Sequence, residues 1–316
     1  MTDRAAWKPA LDPELLPLVE ALPSLNLNDE TLAAVRSISL RPPFEPSGQV
    51  EVTDHIVDPA TGLTVRVSRP TEIEGPFGCL YGMHGGGLVV GSAVQSDEIF
   101  DRWCPRFGIV GVSVEYRLAP ETPYPGPLDD CEAGLLWVVD HAAELGVDPE
   151  RIGITGISAG GGLCAGLAIR LRDQGGFQPA FQLLDCPMLD HRTQSASMTR
   201  NDLLVWTADS NRFGWAAYLG ELAESGAVPG TASPAREPDL AGRPPTYLCV
   251  GGADGFVDED VEYAMRLSAA GVPTDFQVHA GLPHGVMVFG NTDAATRYLA
   301  GQEVWLASRF GRRLSA

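Results

Sequence analysis

Ser158 lies in Gly156-Ile157-Ser158-Ala159-Gly160, where an apolar run of strand character (Ile152, Ile154, Thr155) gives way to one of helical character (Leu163, Ala165, Leu167, Ala168, Leu171). A sharp strand-to-helix turn forces its central residue into a crowded backbone conformation, so the positions two before and two after must be glycine or nearly so. This is the pattern of a nucleophile elbow. It sets a hydroxyl at the positive end of the following helix and leaves the Ala159 amide free to donate toward a developing oxyanion. A glycine-rich turn without chemistry has the same five-residue form, so residues elsewhere must decide.

One strand-helix unit earlier, His84-Gly85-Gly86-Gly87 follows an apolar run ending at Met83. Consecutive glycines leave backbone amides unobstructed, so Gly85 and Gly86, with Ala159, are placed to surround the oxygen that turns negative when a hydroxyl attacks a carbonyl. A serine also needs a base, and the base needs an orienting carboxylate, both from loops after later strands in the order Ser, Asp or Glu, His. Of the six histidines, only His284, in Gly281-Leu-Pro-His-Gly285, has that position and a Pro/Gly loop around it. His55 and His141 read as surface or edge residues, His84 belongs to the glycine loop, His191 lies by an insertion and His279 ends a strand. Position favours Asp254 as the acid, immediately beyond the strand that closes at Gly251. Asp258 is expected instead to cap the helix running through Tyr263, Met265 and Leu267, with Glu259 and Asp260 complementing its dipole in the first turn.

The elements that must hold these groups follow from the hydrophobic pattern. Val50, Val52 and Ile56, then Leu63, Val65 and Val67, flank the turn-like Asp58 to Gly62 and predict an antiparallel hairpin. Short continuous apolar runs then alternate with helical segments: Cys79 to Met83, Ile109 to Val114, Ile152 to Ile157, Phe181 to Leu184, Tyr247 to Val250 and Phe276 to Val278. Such alternation predicts an α/β protein whose mostly parallel sheet is buried on both faces. Before the strands, Asp12 is expected to cap one helix (Pro13, Leu15, Leu16, Val19, Leu22) and Asn28 a second (Leu32, Val35, Ile38); these either pack on a sheet edge or form part of a lid. Between Leu189 and Pro245 the alternation is interrupted by an insertion with a helix around Trp206 to Leu219. Its Trp206, Phe213 and Trp215 are candidate pocket residues, although aromatics at helical spacing also serve ordinary packing.

Composition narrows the classes of partner. The 316 residues, 44% hydrophobic, suffice for a large core, and the formal charge of −19 repels nucleic acid and anionic membrane surfaces. The cysteines are scattered singly, without a C-x-x-C or other metal-ligand spacing, and read as reduced and buried. Charged residues and prolines break residues 1–25 where a signal peptide needs an apolar core, and no stretch suits a membrane span, so a cytoplasmic protein is expected.

His84 to Gly87, Glu115-Tyr-Arg-Leu-Ala-Pro-Glu121, the Pro125 to Trp137 segment with Asp130, Gly156 to Gly161, Asp254 and His284-Gly285 together resemble the bacterial hormone-sensitive-lipase-like esterases, from about residue 50 onward. The resemblance implies an α/β-hydrolase fold, a mostly parallel central sheet flanked by helices, with a helical cap. The cap would comprise residues 1–45 and the inserted 190–235, over a catalytic domain of 46–189 and 236–316. It further implies a serine carboxylesterase for short-acyl esters, with Ser158 as nucleophile, His284 as base, Asp254 as acid, and Gly85, Gly86 and Ala159 as oxyanion donors. It calls for no cofactor and no metal, a small ester as substrate, no nucleic acid or membrane insertion, and is compatible with a homodimer. Glu115 to Glu121 reads as structural support. The chain departs from the resemblance at Ile157, where many relatives have an acidic or hydroxyl residue, and at Gly255-Phe256, commonly Pro-Leu. An amidase or deacetylase using the same residues, or a small-molecule receptor on the same fold, are the alternatives.

Overall fold

The computed structural model describes residues 11–21, 26–38, 44–290 and 292–312. The expected hairpin is formed by antiparallel β1 (Val50–Asp58) and β2 (Leu63–Pro70). Asp58 closes its turn by accepting from the Ala60 amide (2.9 Å) and the Thr61 hydroxyl (2.8 Å). The apolar runs become β3 (Phe77–Met83), β4 (Ile109–Glu115), β5 (Val147–Ile157), β6 (Gln182–Asp185), β7 (Thr246–Gly251) and β8 (Thr274–His279). All lie in one eight-stranded sheet of order β1-β2-β4-β3-β5-β6-β7-β8, parallel from β4 to β8. Every residue of β3 is buried, because helices cover both faces and no side of the strand meets water.

Nine α-helices are described: α1 (Leu16–Ala21), α2 (Leu32–Arg36), α3 (Asp97–Phe107), α4 (Gly126–Asp140), α5 (Ala142–Leu145), α6 (Ala159–Gln174), α7 (Ala208–Leu219), α8 (Val257–Ala269) and α9 (Asp293–Arg309). Successive strand residues point to opposite faces, and β3 shows which helices share one. The Tyr81 hydroxyl donates to the Cys131 carbonyl of α4 (2.9 Å), whereas the Phe100 ring of α3 lies against Gly82. On the α3 side, Arg102 pairs with Glu303 of α9 (2.6 Å). The strand order reverses about β3, whose neighbours are β4 and β5; the loops there diverge and leave a crevice at the carboxyl ends of the strands.

The N-terminal helices begin later than the residues expected to cap them. Asp12 Oδ1 does accept from the Glu14 amide (3.1 Å), but residues 13–15 form a turn and the helix starts only at Leu16. Leu22 lies outside the described residues. Asn28 Oδ1 takes the amides of Glu30 and Thr31 (2.9 and 3.0 Å), so it organises the turn ahead of α2, and Ile38 lies exposed beyond the helix end. The helix around Trp206 to Leu219 is present as α7, capped by the Thr207 hydroxyl. All six cysteines are buried and unpaired, and no helix among the described residues is long and apolar enough to cross a membrane.

Candidate active site

Ser158 sits between the end of β5 and the first residue of α6, at φ +57°. For a residue with a Cβ this is a sparsely populated conformation, held by the surroundings. The Ser158 amide donates to the Asp185 carbonyl of β6 (2.8 Å), and its carbonyl accepts from the Met188 amide (2.9 Å). Gly160 is required at the bend because a Cβ there would run into the Met83 and His84 carbonyl oxygens.

The glycine loop comes up against this serine. A Cβ on Gly85 would stand 3.4 Å from Ser158 Cβ, so the Gly85 backbone borders the hydroxyl. Gly86 turns with φ +122°, a conformation open only to glycine at no cost, and its carbonyl accepts from the Val89 and Val90 amides (3.1 and 3.0 Å). The Ala159 amide opens α6 and, like the first amides of any helix, has no intrahelical acceptor. Gly85 and Ala159 therefore border Ser158, and Gly86 follows Gly85 in the same loop.

His84 itself is an anchor. Its ring stacks on Tyr116 with centroids 4.0 Å apart, its Nδ1 donates to the Gly85 carbonyl (2.8 Å), and full burial pushes its pKa down to about 4, so it stays neutral at ordinary pH. The Glu115 to Glu121 segment supports this loop at several points. Tyr116 donates to the His84 carbonyl (2.8 Å), Glu115 accepts from the Ala93 amide (2.7 Å), and the Ala119 amide donates to the Leu88 carbonyl (3.0 Å). Arg117 is held in turn by a bidentate pair with Asp130 of α4 (2.8 and 2.7 Å).

His284 completes a chain of hydrogen bonds. Its Nε2 lies 2.9 Å from Ser158 Oγ and its Nδ1 2.7 Å from Asp254 Oδ2, with all three side chains buried. The partners define the tautomer: Asp254, an acceptor, takes a proton on Nδ1, which leaves Nε2 to accept from the serine hydroxyl. The Phe256 ring meets the imidazole edge-on at 5.0 Å, and the Phe256 amide donates to Asp254 Oδ1 (3.0 Å), so both carboxylate oxygens are engaged. The loops are tied together where the Ala253 amide donates to the Leu282 carbonyl (3.0 Å). Such an arrangement can pass a proton from Ser158 to His284 while Asp254 stabilises the resulting imidazolium.

The acidic run around Asp254 folds differently from expectation in one respect. Asp258 does not cap α8. The residue at the cap position is Phe256, because the chain bends into the helix around the Asp254 side chain, and Asp258 falls in the first turn. Its carboxylate accepts from the Ser197 amide (2.7 Å). Glu259 is buried and takes the Leu189 and Asp190 amides (2.7 and 3.2 Å). Asp260 is buried with no hydrogen-bond partner for either oxygen among the described residues. Burial, reinforced by neighbouring carboxylates, pushes both acids well above the usual carboxylate range.

Of the three candidate pocket aromatics, Trp206 reaches the glycine loop: its six-membered ring stands where a Cβ on Gly87 would project. The Asn211 side chain holds its indole N–H (3.0 Å). Phe213 is half-buried against the core, and Trp215 is buried with its ring contacts to His191 and Tyr218. Sequence reasoning did not single out Arg36. It donates to the Val89 carbonyl (2.8 Å) and the Ala119 carbonyl (2.9 Å) and pairs with Glu121, fastening α2 to the glycine loop. A cavity of about 120 Å³ opens between α3 and α9 and reaches His84 and Ile157; neither Ser158 nor His284 lines it.

The family pattern described as alpha/beta hydrolase fold matches residues 80–288, which carry the glycine loop, the elbow, Asp254 and His284. The chain belongs to the α/β-hydrolase fold family. Within this family it is one of the hormone-sensitive-lipase-like esterases, a carboxylic ester hydrolase. It is 35% identical to the esterase LipI of Mycobacterium tuberculosis over 94% of each chain. To the carboxylesterase NlhH of the same organism it is 32% identical over 92% of each. The solved structure of a bacterial heroin esterase superposes with a TM-score of 0.87 at 36% identity, covering 97% of this chain and 99% of the other.

Proposed function

We propose that this α/β-hydrolase is a serine carboxylesterase that cleaves short-acyl esters through an acyl-enzyme, with Ser158, His284 and Asp254 as its catalytic triad. The observation that carries the reading is the continuous chain from Ser158 Oγ through His284 to Asp254, at 2.9 and 2.7 Å. Ser158 attacks the ester carbonyl as His284 Nε2 takes its proton. The oxyanion that forms is met by the amides of Gly85, Gly86 and Ala159, each such donor worth about 2.7–4 kcal/mol of barrier. His284 returns the proton to the leaving alcohol, and a water activated by the same imidazole releases the acid.

The N-terminal segment and the 190–235 insertion act in this reading as one cap. Supporting it, the Leu27 amide donates to the Ser210 hydroxyl of α7 (3.1 Å), and Arg36 fastens α2 over the glycine loop. Trp206 above Gly87 supports the short-acyl preference, because it takes up space beside the oxyanion donors. Intact-mass and peptide mapping after treatment with a phosphonate ester tests the reading. One phosphonyl adduct on Ser158, absent from Ser158→Ala, is the expected result; adduct on another residue with full loss of hydrolysis would overturn it.

A further inference from the structure

Cys186 is a buried thiol that ester hydrolysis does not use. It follows β6 with a left-handed backbone, φ +39°, and its amide donates to the Cys249 carbonyl (2.8 Å). This places the thiol beside the imidazole-carboxylate pair: one donor atom from each of Cys186, Asp254 and His284 lies within 4.8 Å of the others, all three residues being buried. Thiolate, imidazole and carboxylate are the donors of tetrahedral zinc sites, with bonds of about 2.0–2.3 Å. Around such an ion, ligand atoms stand roughly 3–4 Å apart, so the trio needs only a small adjustment while the Asp254–His284 contact, now 2.7 Å, opens. The sulfur selects a thiophilic ion over magnesium or calcium.

We propose that Cys186, Asp254 and His284 form an inhibitory site for a thiophilic divalent cation, Zn²⁺ or Cd²⁺, with water in the fourth position. Binding releases one proton, because the thiol ionises as the metal-sulfur bond forms. His284 ligates through Nδ1, and the proton that Nδ1 carried moves to Nε2. Asp254 supplies a carboxylate oxygen already ionised. Nε2 then holds a hydrogen and no longer accepts the Ser158 proton, so hydrolysis stops. The loss of rate rests on the triad reading, whereas the binding does not.

Burial, together with the carboxylates of Asp185 at the end of β6, Asp254 and Asp260, and with Cys249 of β7, holds the Cys186 thiol well above its usual pKa. The cation must displace that proton as the metal-sulfur bond forms.

The test compares ester hydrolysis by the wild type and Cys186→Ser in chelator-treated buffer over a range of CdCl₂ and ZnCl₂, each scaled to its own metal-free rate. Inhibition reversed by EDTA is expected, with the half-inhibiting concentration raised about tenfold or more in Cys186→Ser. Equal inhibition of the two proteins overturns the site. Binding is read separately on Ser158→Ala, where CdCl₂ should produce a thiolate-to-cadmium ultraviolet absorption band that is lost when Cys186 is also replaced by serine. An unchanged band, or none, overturns it. If Cys186→Ser does not fold, anomalous scattering from wild-type crystals soaked in CdCl₂ decides: cadmium between the three side chains supports the site, and cadmium only elsewhere overturns it. Binding with hydrolysis unaffected overturns the inhibitory role, and phosphonate labelling of Ser158 decides independently whether the triad reading stands.

Discussion

Asp258 and Ser197 exchange two hydrogen bonds: the Ser197 amide donates to Asp258 Oδ2 (2.7 Å) and the Asp258 amide donates to Ser197 Oγ (3.2 Å). The second acid of the 254–260 run is thereby occupied in tethering the insertion to α8, and the first is left to His284. Asp254→Asn is expected to lower kcat by about 10⁴, as an amide in that place favours the wrong imidazole tautomer. Asp258→Asn should cost less than about tenfold. Steady-state kinetics on both, at matched thermal stability, checks this, and a larger kcat loss at Asp258 would reverse the assignment.

Trp206 is the residue through which acyl length is expected to be read, since its ring fills the space over Gly87. Trp206→Ala should raise kcat/KM for hexanoyl relative to acetyl esters of one chromogenic alcohol by about tenfold or more, because a hydrophobic pocket discriminates by roughly that factor per methylene. An unchanged ratio would place the acyl chain elsewhere. One acyl group carried as an ester of a nitrophenol and as an anilide of the matching nitroaniline separates esterase from amidase: faster turnover of the anilide would sink the ester preference.

Arg36 is expected to matter locally. Its ion pair with Glu121 is largely exposed on the glutamate side, and exposed pairs contribute only about 0–1 kcal/mol. Arg36→Ala should therefore shift Tm by a few degrees at most, yet expose the 26–38 segment to limited proteolysis severalfold faster than in the wild type. A large drop in Tm with unchanged cleavage would show that the segment is held by other contacts.

His84 predicts a particular dependence of stability on pH. The unfolded imidazole takes a proton near pH 6.5, and burial lowers the folded value to about 4. Between these pH values the unfolded state binds more protons, so this histidine's contribution is complete above 6.5 and falls away as pH drops toward 4, by about 3 kcal/mol in all. His84→Asn, which keeps a donor for the Gly85 carbonyl, should lose that slope in urea unfolding followed from pH 7 to 4. An identical slope in the variant would refute the assignment to His84.

Much of the fold is legible in the sequence. Strands buried on both faces appear as continuous apolar runs, and β3 to β8 fall where those runs fall. The turn at Ser158 is equally visible, because the close approach of Gly160 to the Met83 and His84 carbonyls leaves glycine as the residue that fits there. Chain order points to His284 and Asp254, and in the fold His284 lies within hydrogen-bond reach of both Asp254 and Ser158. Helix starts were less legible: Asp12, Asn28 and Asp258 all look like caps, yet α1, α2 and α8 begin elsewhere, since a capping side chain serves equally well in the turn ahead of a helix or in a tertiary contact.

The order of strands along the chain, the strand-to-helix turn at Ser158, the glycine loop and the histidine that follows the last strand are all legible in the sequence, because each depends on local backbone demands or on hydrophobic period. Tertiary structure alone decided the contacts between residues far apart in the chain. It brought Ser197 to Asp258, Arg36 to Glu121, Trp206 to Gly87, and Cys186 to Asp254 and His284. Those partners carry no local signal, for a hydrogen bond or a metal-ligand set is a statement about distance, and distance between remote residues exists only once the sheet has been assembled.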